Sequence, residues 1–216
     1  VSAKFRFVFF DVDSTLVKIE GIDVLANGNA EIVQLTEAAM NGEVPLDEVY
    51  ARRLAIIRPS RADVEALGAR YVASLVDGAE ETIATLQSLG VQVQLVTAGI
   101  AQAIAPLAEH LRIPARAVHA VSLVFDDDGA YRDFDRASPL ARNGGKELVV
   151  RNLLARAKGK AAFVGDGVSD LETKPVVDLF VGFGGVHTRA RVEENAEAYV
   201  REKDLRAVLA YLIDHD

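Results

Sequence analysis

Residues 4–10, Lys-Phe-Arg-Phe-Val-Phe-Phe, run without a break into Asp11-Val12-Asp13-Ser14-Thr15. Aromatic and β-branched residues suit a pleated, buried surface, so Lys4 to Phe10 is predicted to be an interior strand of a sheet. An interior strand needs a neighbour on each side, and acids directly at its end must lie at the sheet's carboxyl edge. Val91 to Val96 (after Gly90), Ala161 to Val164 and Asp178 to Val181 read as further strands. Helical patterns separate them. Gly78 to Leu89 has Asp77 as its expected N-cap, Glu80 in capping-box position and Gly90 as its stop. Lys146 to Ala157 carries apolar Leu148, Val149, Leu153 and Leu154, and Lys203 to Ile213 is a last helix. This alternation predicts an α/β fold: a Rossmann-like, mostly parallel sheet with helices on both faces. Ligands of such folds bind beyond the carboxyl ends of the strands.

Residues 18–76 contain no convincing strand. They read as several helices, one starting near Ser60 with Asp63 three positions on. A simple βα loop is far shorter. The stretch is therefore expected to be a small helical cap domain inserted after the first strand, with chain crossings near Lys18 and Val76. Residues 1–17 and 77–216 would form the core domain. A second insertion, Val121 to Phe134, holds Asp-Asp-Asp-Gly between apolar stretches and reads as a hairpin.

Composition narrows the partners. The net charge is −8 with no strongly basic block, which argues against nucleic acid or an acidic membrane as partner. The absence of cysteine excludes disulfides, thiolate metal sites and a cysteine nucleophile. No apolar run reaches the length of a membrane span, and no basic-then-apolar leader opens the chain, so a cytoplasmic protein is expected, as monomer or homodimer.

Four polar clusters carry the chemistry. Asp11 and Asp13, two apart after a strand, can share one pocket. One carboxylate can attack phosphorus while the other, protonated, supplies a proton to the leaving oxygen. Thr97-Ala98-Gly99 follows the second strand, where a hydroxyl and backbone N–H groups can hold phosphate oxygens. Gly144-Gly145-Lys146 opens a helix, and its lysine can neutralise both nucleophile and phosphate. Gly165-Asp166-Gly167-Val168-Ser169-Asp170 sets two acids at a glycine turn, which suits a hard cation with oxygen ligands. Each cluster alone also fits an ordinary turn, helix cap or solvated lysine. Together they fall at one predicted sheet edge. Two like charges at ~4 Å cost about 4 kcal/mol even at an effective dielectric near 20, so four acids facing a phosphate imply a metal beside Lys146.

In order, these residues resemble the haloacid dehalogenase-like superfamily, whose phosphatase branch carries D-x-D-x-T, a Ser or Thr after the next strand, a Lys, and an acidic G-D-x-x-x-D loop. The likeness runs from Phe9 to about Tyr199. It is greatest to the enzymes that act on phosphoserine, over Asp11 to Leu25, Arg53 to Ser60, Gly144 to Lys146, Gly165 to Asp170 and Gly182 to Gly185. The resemblance implies Asp11 as nucleophile and Asp13 as general acid and then base. It implies Mg²⁺ bound by Asp11, the Asp13 backbone carbonyl and Asp166, with Asp170 in support. Thr97 and Lys146 would hold the phosphoryl group. Glu20 and Arg53 of the cap would meet the amino and carboxylate groups of the substrate, with Met40 packed nearby. Two positions depart from the pattern: Thr97-Ala98-Gly99 stands for Ser-Gly-Gly, and Asn41 for a glycine.

Other functions of the same fold are distinguishable. A haloacid dehalogenase would attack carbon and would need neither Asp13 nor a metal. A phosphotransferase would pass the phosphoryl group to an alcohol such as homoserine. A non-enzymatic binding module would not need the full catalytic set.

Overall fold

Phe7–Phe10 is the hub of a six-stranded sheet in the computed structural model, which describes residues 1–214. In chain order the strands are β1 (Ser2–Ala3), β2 (Phe7–Phe10), β3 (Gln92–Ile100), β4 (Val118–Val121), β5 (Leu123–Phe125), β6 (Tyr131–Phe134), β7 (Ala161–Gly165), β8 (Leu179–Phe183), β9 (Ala198–Val200) and β10 (Ile213–Asp214). The main sheet is parallel throughout, in the order β4-β3-β2-β7-β8-β9. From β2 the chain steps outward to β3 and β4, then returns to β7 on the other side and steps outward again. Right-handed crossovers in opposite directions put helices on both faces of the sheet. They also make the carboxyl ends of β2, β3 and β7 a topological switch point.

Register is held by an aromatic ladder. Phe9, Phe163 and Phe180 are paired neighbours on β2, β7 and β8, and their rings stack with centroids 6.4 and 6.2 Å apart. Such pairs contribute about 0.5–1.5 kcal/mol each beyond area burial. A slip of one residue would reverse every side chain and misplace the acids that follow.

The helices are α1 (Gly21–Leu25), α2 (Ala30–Met40), α3 (Leu46–Ile57), α4 (Arg61–Ala73), α5 (Ala79–Ser88), α6 (Ala101–His110), α7 (Gly145–Leu154), α8 (Val168–Leu171), α9 (Ala190–Asn195) and α10 (Leu209–Leu212). Ser60 caps α4 in a reciprocal capping box with Asp63. The first four helices lie between β2 and α5. The chain leaves and returns side by side: Val17 bridges Leu75, Lys18 N–H donates to Ser74 O at 2.7 Å, and Val76 N–H to Leu16 O at 2.9 Å. β5 and β6 form the hairpin, with Gly129 at φ 85° in its turn.

Three local expectations are corrected. Gly78, at φ 76°, is the N-cap of α5, and Asp77 instead pairs with Lys18 while Glu80 pairs with His110. The last helix is shorter than its apolar pattern suggests: Asp204 caps a 3₁₀ turn, Leu205–Val208, which continues only through Leu212. The edge strands β4 and β9 are additional to the four strands read from the sequence.

Candidate active site

The sheet carries Asp11 to its edge. Asp11 N–H still donates to Val164 O of β7 at 3.0 Å. The chain then coils: the amides of Thr15, Leu16 and Val17 all turn back onto the Val12 carbonyl, and Ser14 adopts φ 55°. The coil gives the two carboxylates different surroundings. Asp11 meets Lys146, on the first turn of α7, whose Nζ lies 2.9 Å from Asp11 Oδ1 and 2.5 Å from Asp170 Oδ1. Asp13 Oδ1 accepts from Gly21 N–H at 2.7 Å and from the Tyr71 hydroxyl at 2.8 Å.

The loop after β7 supplies the other acids. Asp166 Oδ1 accepts from the Thr15 hydroxyl at 3.3 Å, and Asp166 Oδ2 from Arg189 Nε at 3.0 Å. Asp170 folds back so that its Oδ2 accepts from Gly167 N–H at 2.8 Å. This return needs glycine at 165, because a Cβ there would lie 2.4 Å from Asp170 Cγ. Carboxylate oxygens of Asp11, Asp166 and Asp170 lie within 4.8 Å of one another, all buried. Asp11 Oδ1 accepts no hydrogen bond from the described residues; the Lys146 contact is close but poorly aligned for one. A cluster of hard oxygens with an unsatisfied buried atom fits a divalent cation.

The electrostatics point the same way. Burial, then the charge of Asp11, pushes Asp13 up to about 7. Burial and Asp11 also push Asp170 up to about 8. Asp166 is pushed up to about 6 by burial and Asp11, against the pull of Arg189. Burial opposes the charge of Lys146, but Asp11 and Asp170 outweigh it and raise its pKa, so the ammonium is retained. One ammonium and one guanidinium do not neutralise four buried acids, and the carboxylates share the deficit as raised pKa values.

This has a measurable consequence. The three acids hold protons in the folded state that the unfolded chain releases near 3.8. Stability contributed by these protons is lost as pH rises from about 4 through about 8. In chelator, the urea midpoint should fall between about pH 5 and pH 8, and a divalent cation should raise it more at the higher pH. A cation effect independent of pH would contradict this electrostatic picture.

Glu20, Met40 and Arg53 line one cavity, of about 190 Å³, together with Asp11, Asp13, Thr97 to Gly99 and Lys146, whereas Asp166 and Asp170 lie outside its lining. Its size suits a substrate smaller than a drug-sized ligand. Thr97 is buried, and its hydroxyl oxygen accepts from Gly99 N–H at 3.0 Å, leaving the hydroxyl hydrogen to donate elsewhere. The Ala98 carbonyl accepts from the Tyr50 hydroxyl of α3 at 2.9 Å. The Glu20 carboxyl accepts from the Ser14 hydroxyl at 2.5 Å and is pushed well above its ordinary pKa by burial, then by Asp13 and Asp166. Arg53 is 6% exposed, donates to Thr36 Oγ1 at 3.1 Å, sits over the Tyr50 ring and leaves Nε unpartnered. Thr36 in turn donates to Asp23 at 2.7 Å. The methyl of Met40 packs against Gly167.

Besides Tyr50 and Thr36, two residues that bind the acids escape the sequence reading. Arg189, 4% exposed, links Asp166 to α2 through Glu37 and Asn41, at 3.1 and 3.2 Å. Asn41, one of the two departures from the family pattern, thus gains a partner that a glycine could not provide. Tyr71 reaches Asp13 from α4. The only signals were one of two arginines, Arg189 and Arg191, past a Gly-Gly turn and a Tyr in an ordinary helical pattern.

Thr97, Ala98 and Gly99 lie inside β3, which runs on to Ile100, rather than after the strand. An acid cluster, a buried lysine and the Thr97 hydroxyl at the switch point of a parallel sheet define a hydrolase of phosphate-type substrates. The haloacid dehalogenase-like hydrolase family model matches residues 8–173, and the chain belongs to that family. Phosphoserine phosphatase of Bos taurus is 40% identical over 199 residues, covering 90% of this chain and 88% of its own. Among solved structures, a phosphoserine phosphohydrolase-like protein from Francisella tularensis has a TM-score of 0.86 at 25% identity, covering 97% of this chain and 100% of its own. A phospho-aspartyl intermediate analogue of phosphoserine phosphatase has a TM-score of 0.83 at 25% identity, with the same coverage of both chains.

Proposed function

We propose that this protein is a phosphoserine phosphatase, which hydrolyses O-phospho-L-serine to L-serine and phosphate through a phosphoaspartate on Asp11 and so catalyses the step that releases serine. One observation carries the reading. The cavity that holds Asp11, Asp13 and Lys146 is also lined by a buried carboxyl, Glu20, and a buried guanidinium with a free donor, Arg53. The first set handles a phosphate, and the second pairs with the ammonium and carboxylate of an amino acid.

The Asp11 carboxylate forms a bond to phosphorus as the ester P–O bond breaks, and Asp13 gives its proton to the serine oxygen. Water then attacks phosphorus, Asp13 takes its proton, and the bond to Asp11 breaks. Lys146 and the Thr97 hydroxyl hold the phosphoryl oxygens, beside Ala98 and Gly99. Asp11, the Asp13 backbone carbonyl and Asp166 would hold Mg²⁺, with Asp170 in support. When bound, Mg²⁺ offsets the charge of the acids and of the phosphoryl group. Residues 18–76 act as a helical cap domain over the core of residues 1–17 and 77–216, and exclude water when substrate is bound. The substrate is the only partner this chemistry requires. The protein acts as a monomer or homodimer in the cytoplasm, without a nucleic acid or membrane partner; among the described residues no helix is long and apolar enough to cross a membrane.

The test is phosphate release from a panel of phosphomonoesters, with Mg²⁺ and with chelator. Phosphoserine should give the highest kcat/KM, chelator should abolish release, and added homoserine should leave the phosphate yield unchanged. Preference for phosphoethanolamine or a sugar phosphate would overturn the substrate assignment. Full activity without metal would favour dehalogenase-type chemistry.

Arg53→Ala separates recognition from catalysis. Losing a charged contact to the substrate carboxylate should cut kcat/KM for phosphoserine by about 2–5 kcal/mol, or about 30-fold to several thousand-fold. Turnover of p-nitrophenyl phosphate, which has no carboxylate, should change much less. Equal losses on both would assign Arg53 to cap folding or closure instead.

A further inference from the structure

We infer that Tyr71 is a positioning residue for Asp13, selecting Oδ2 as the oxygen that carries and returns the proton. The inference rests on the phosphatase reading and adds to it a residue from outside the four polar clusters.

Tyr71 lies on α4 and is 1% exposed. One turn earlier on the same helix, Gly68 packs directly against Pro106 of α6, so the helix that carries the phenol is seated on the core. The Tyr71 hydroxyl donates to Asp13 Oδ1 at 2.8 Å, and Gly21 N–H donates to the same oxygen at 2.7 Å. Gly21 leaves the room for this contact: a Cβ there would lie 2.0 Å from the Tyr71 oxygen. Oδ1 therefore has both in-plane lone pairs occupied by donors. Oδ2 is different. It accepts no hydrogen bond from the described residues and faces Gly99, where a Cβ would lie 3.1 Å away. Gly99 lines the cavity beside Thr97.

A proton on Oδ1 would have to point at one of two donors. If it turned the phenol into an acceptor, the phenol hydrogen would itself be left without a partner in a buried site, which costs more than a typical hydrogen bond returns. The proton of Asp13 therefore belongs on Oδ2, on the side of the phosphoryl-binding residues. As the ester P–O bond breaks, Oδ2 loses its proton to the serine oxygen, and the carboxylate then keeps two donors on Oδ1. In the second step Oδ2 takes the proton of the attacking water, and the bond between phosphorus and Asp11 breaks. Without the phenol, the carboxyl group has one donor fewer to set its plane, and both proton transfers lose alignment.

The test is Tyr71→Phe, which keeps the ring in the core and removes only the hydroxyl. Turnover of phosphoserine should fall about 10- to 100-fold, the scale of a general acid–base contribution partly lost. With p-nitrophenyl phosphate, whose leaving group needs no proton, Asp11 should still be phosphorylated, but hydrolysis should slow. Acid quench in the steady state should then trap a larger fraction of covalent phosphoenzyme than in wild type. A merely structural tyrosine would not alter that partition. Gly21→Ala is the second variant: its Cβ would lie 2.0 Å from the Tyr71 oxygen and 2.8 Å from Tyr71 Cζ, which forces the phenol away from Asp13 Oδ1 and should raise the trapped fraction likewise. An unchanged phosphoenzyme fraction in a folded Tyr71→Phe protein, or in Gly21→Ala if Tyr71→Phe does not fold, would overturn the role of Tyr71 while the phosphatase reading stands. A wild-type enzyme that traps no covalent phosphate would overturn that reading itself, and this inference with it.

Discussion

Asp11→Asn should abolish turnover and leave the protein folded. The amide is nearly the same size as the carboxylate; the change removes the charge that faces Lys146 Nζ at 2.9 Å, but the ammonium keeps Asp170 Oδ1 at 2.5 Å. An amide does not attack phosphorus, so the loss should be about 10⁵-fold or more, the scale seen when a covalent nucleophile is removed. Stability should not fall with it. The charge of Asp11 is among the causes that raise Asp13, Asp166 and Asp170, so its removal eases the repulsion on all three. The measurements are steady-state phosphate release and a urea melt, on protein checked by mass for deamidation. Appreciable turnover in undeamidated Asp11→Asn would remove Asp11 from the role of nucleophile.

Lys146→Met should be the second most damaging change, and for a different reason. The methionine fills most of the volume but leaves Asp11 and Asp170 facing each other with no ammonium between them. Taking one partner from a buried charge pair costs about 3–5 kcal/mol. Part of that cost should be relieved by protonation of the acids, so the loss of stability should be smaller at low pH. Activity should fall by about 10³-fold, since a fixed cation aimed at developing phosphoryl charge is worth that much in a dry site. A variant with near wild-type kcat/KM would mean that Lys146 serves only to hold the two carboxylates together.

The parts of the site readable from sequence share one property: they follow an apolar run or open a helix. Asp11 and Asp166 each come just after a buried strand, and Thr97 follows the apolar Leu95-Val96 pair within one, so a β pattern locates them without any knowledge of side-chain contacts. Arg53 had no such signal. It stands beside Arg52 in a helical pattern, and only the resemblance singles it out. Only packing distinguishes them: Arg52 pairs with Glu31 in solvent, while Arg53 turns inward beneath Tyr50. Tyr71 and Arg189 were hidden for the same reason, since each acts on an acid 58 or 23 residues away in sequence. The edge strands were missed because Val118–Val121 contains a histidine and Ala198–Val200 is only three residues long. Asp77 was misread as a cap because a glycine in the left-handed region can begin a helix without a side-chain acceptor.

The central claim, that phosphoserine transfers its phosphoryl group to Asp11, is tested most directly by mapping the covalent intermediate. Enzyme turning over phosphoserine with Mg²⁺ would be quenched and reduced with borohydride, which converts an aspartyl phosphate to homoserine, and then digested for mass analysis. Homoserine should be found at position 11 only, and only when substrate was present. Modification at another residue, or none in an enzyme that is releasing serine, would contradict the account.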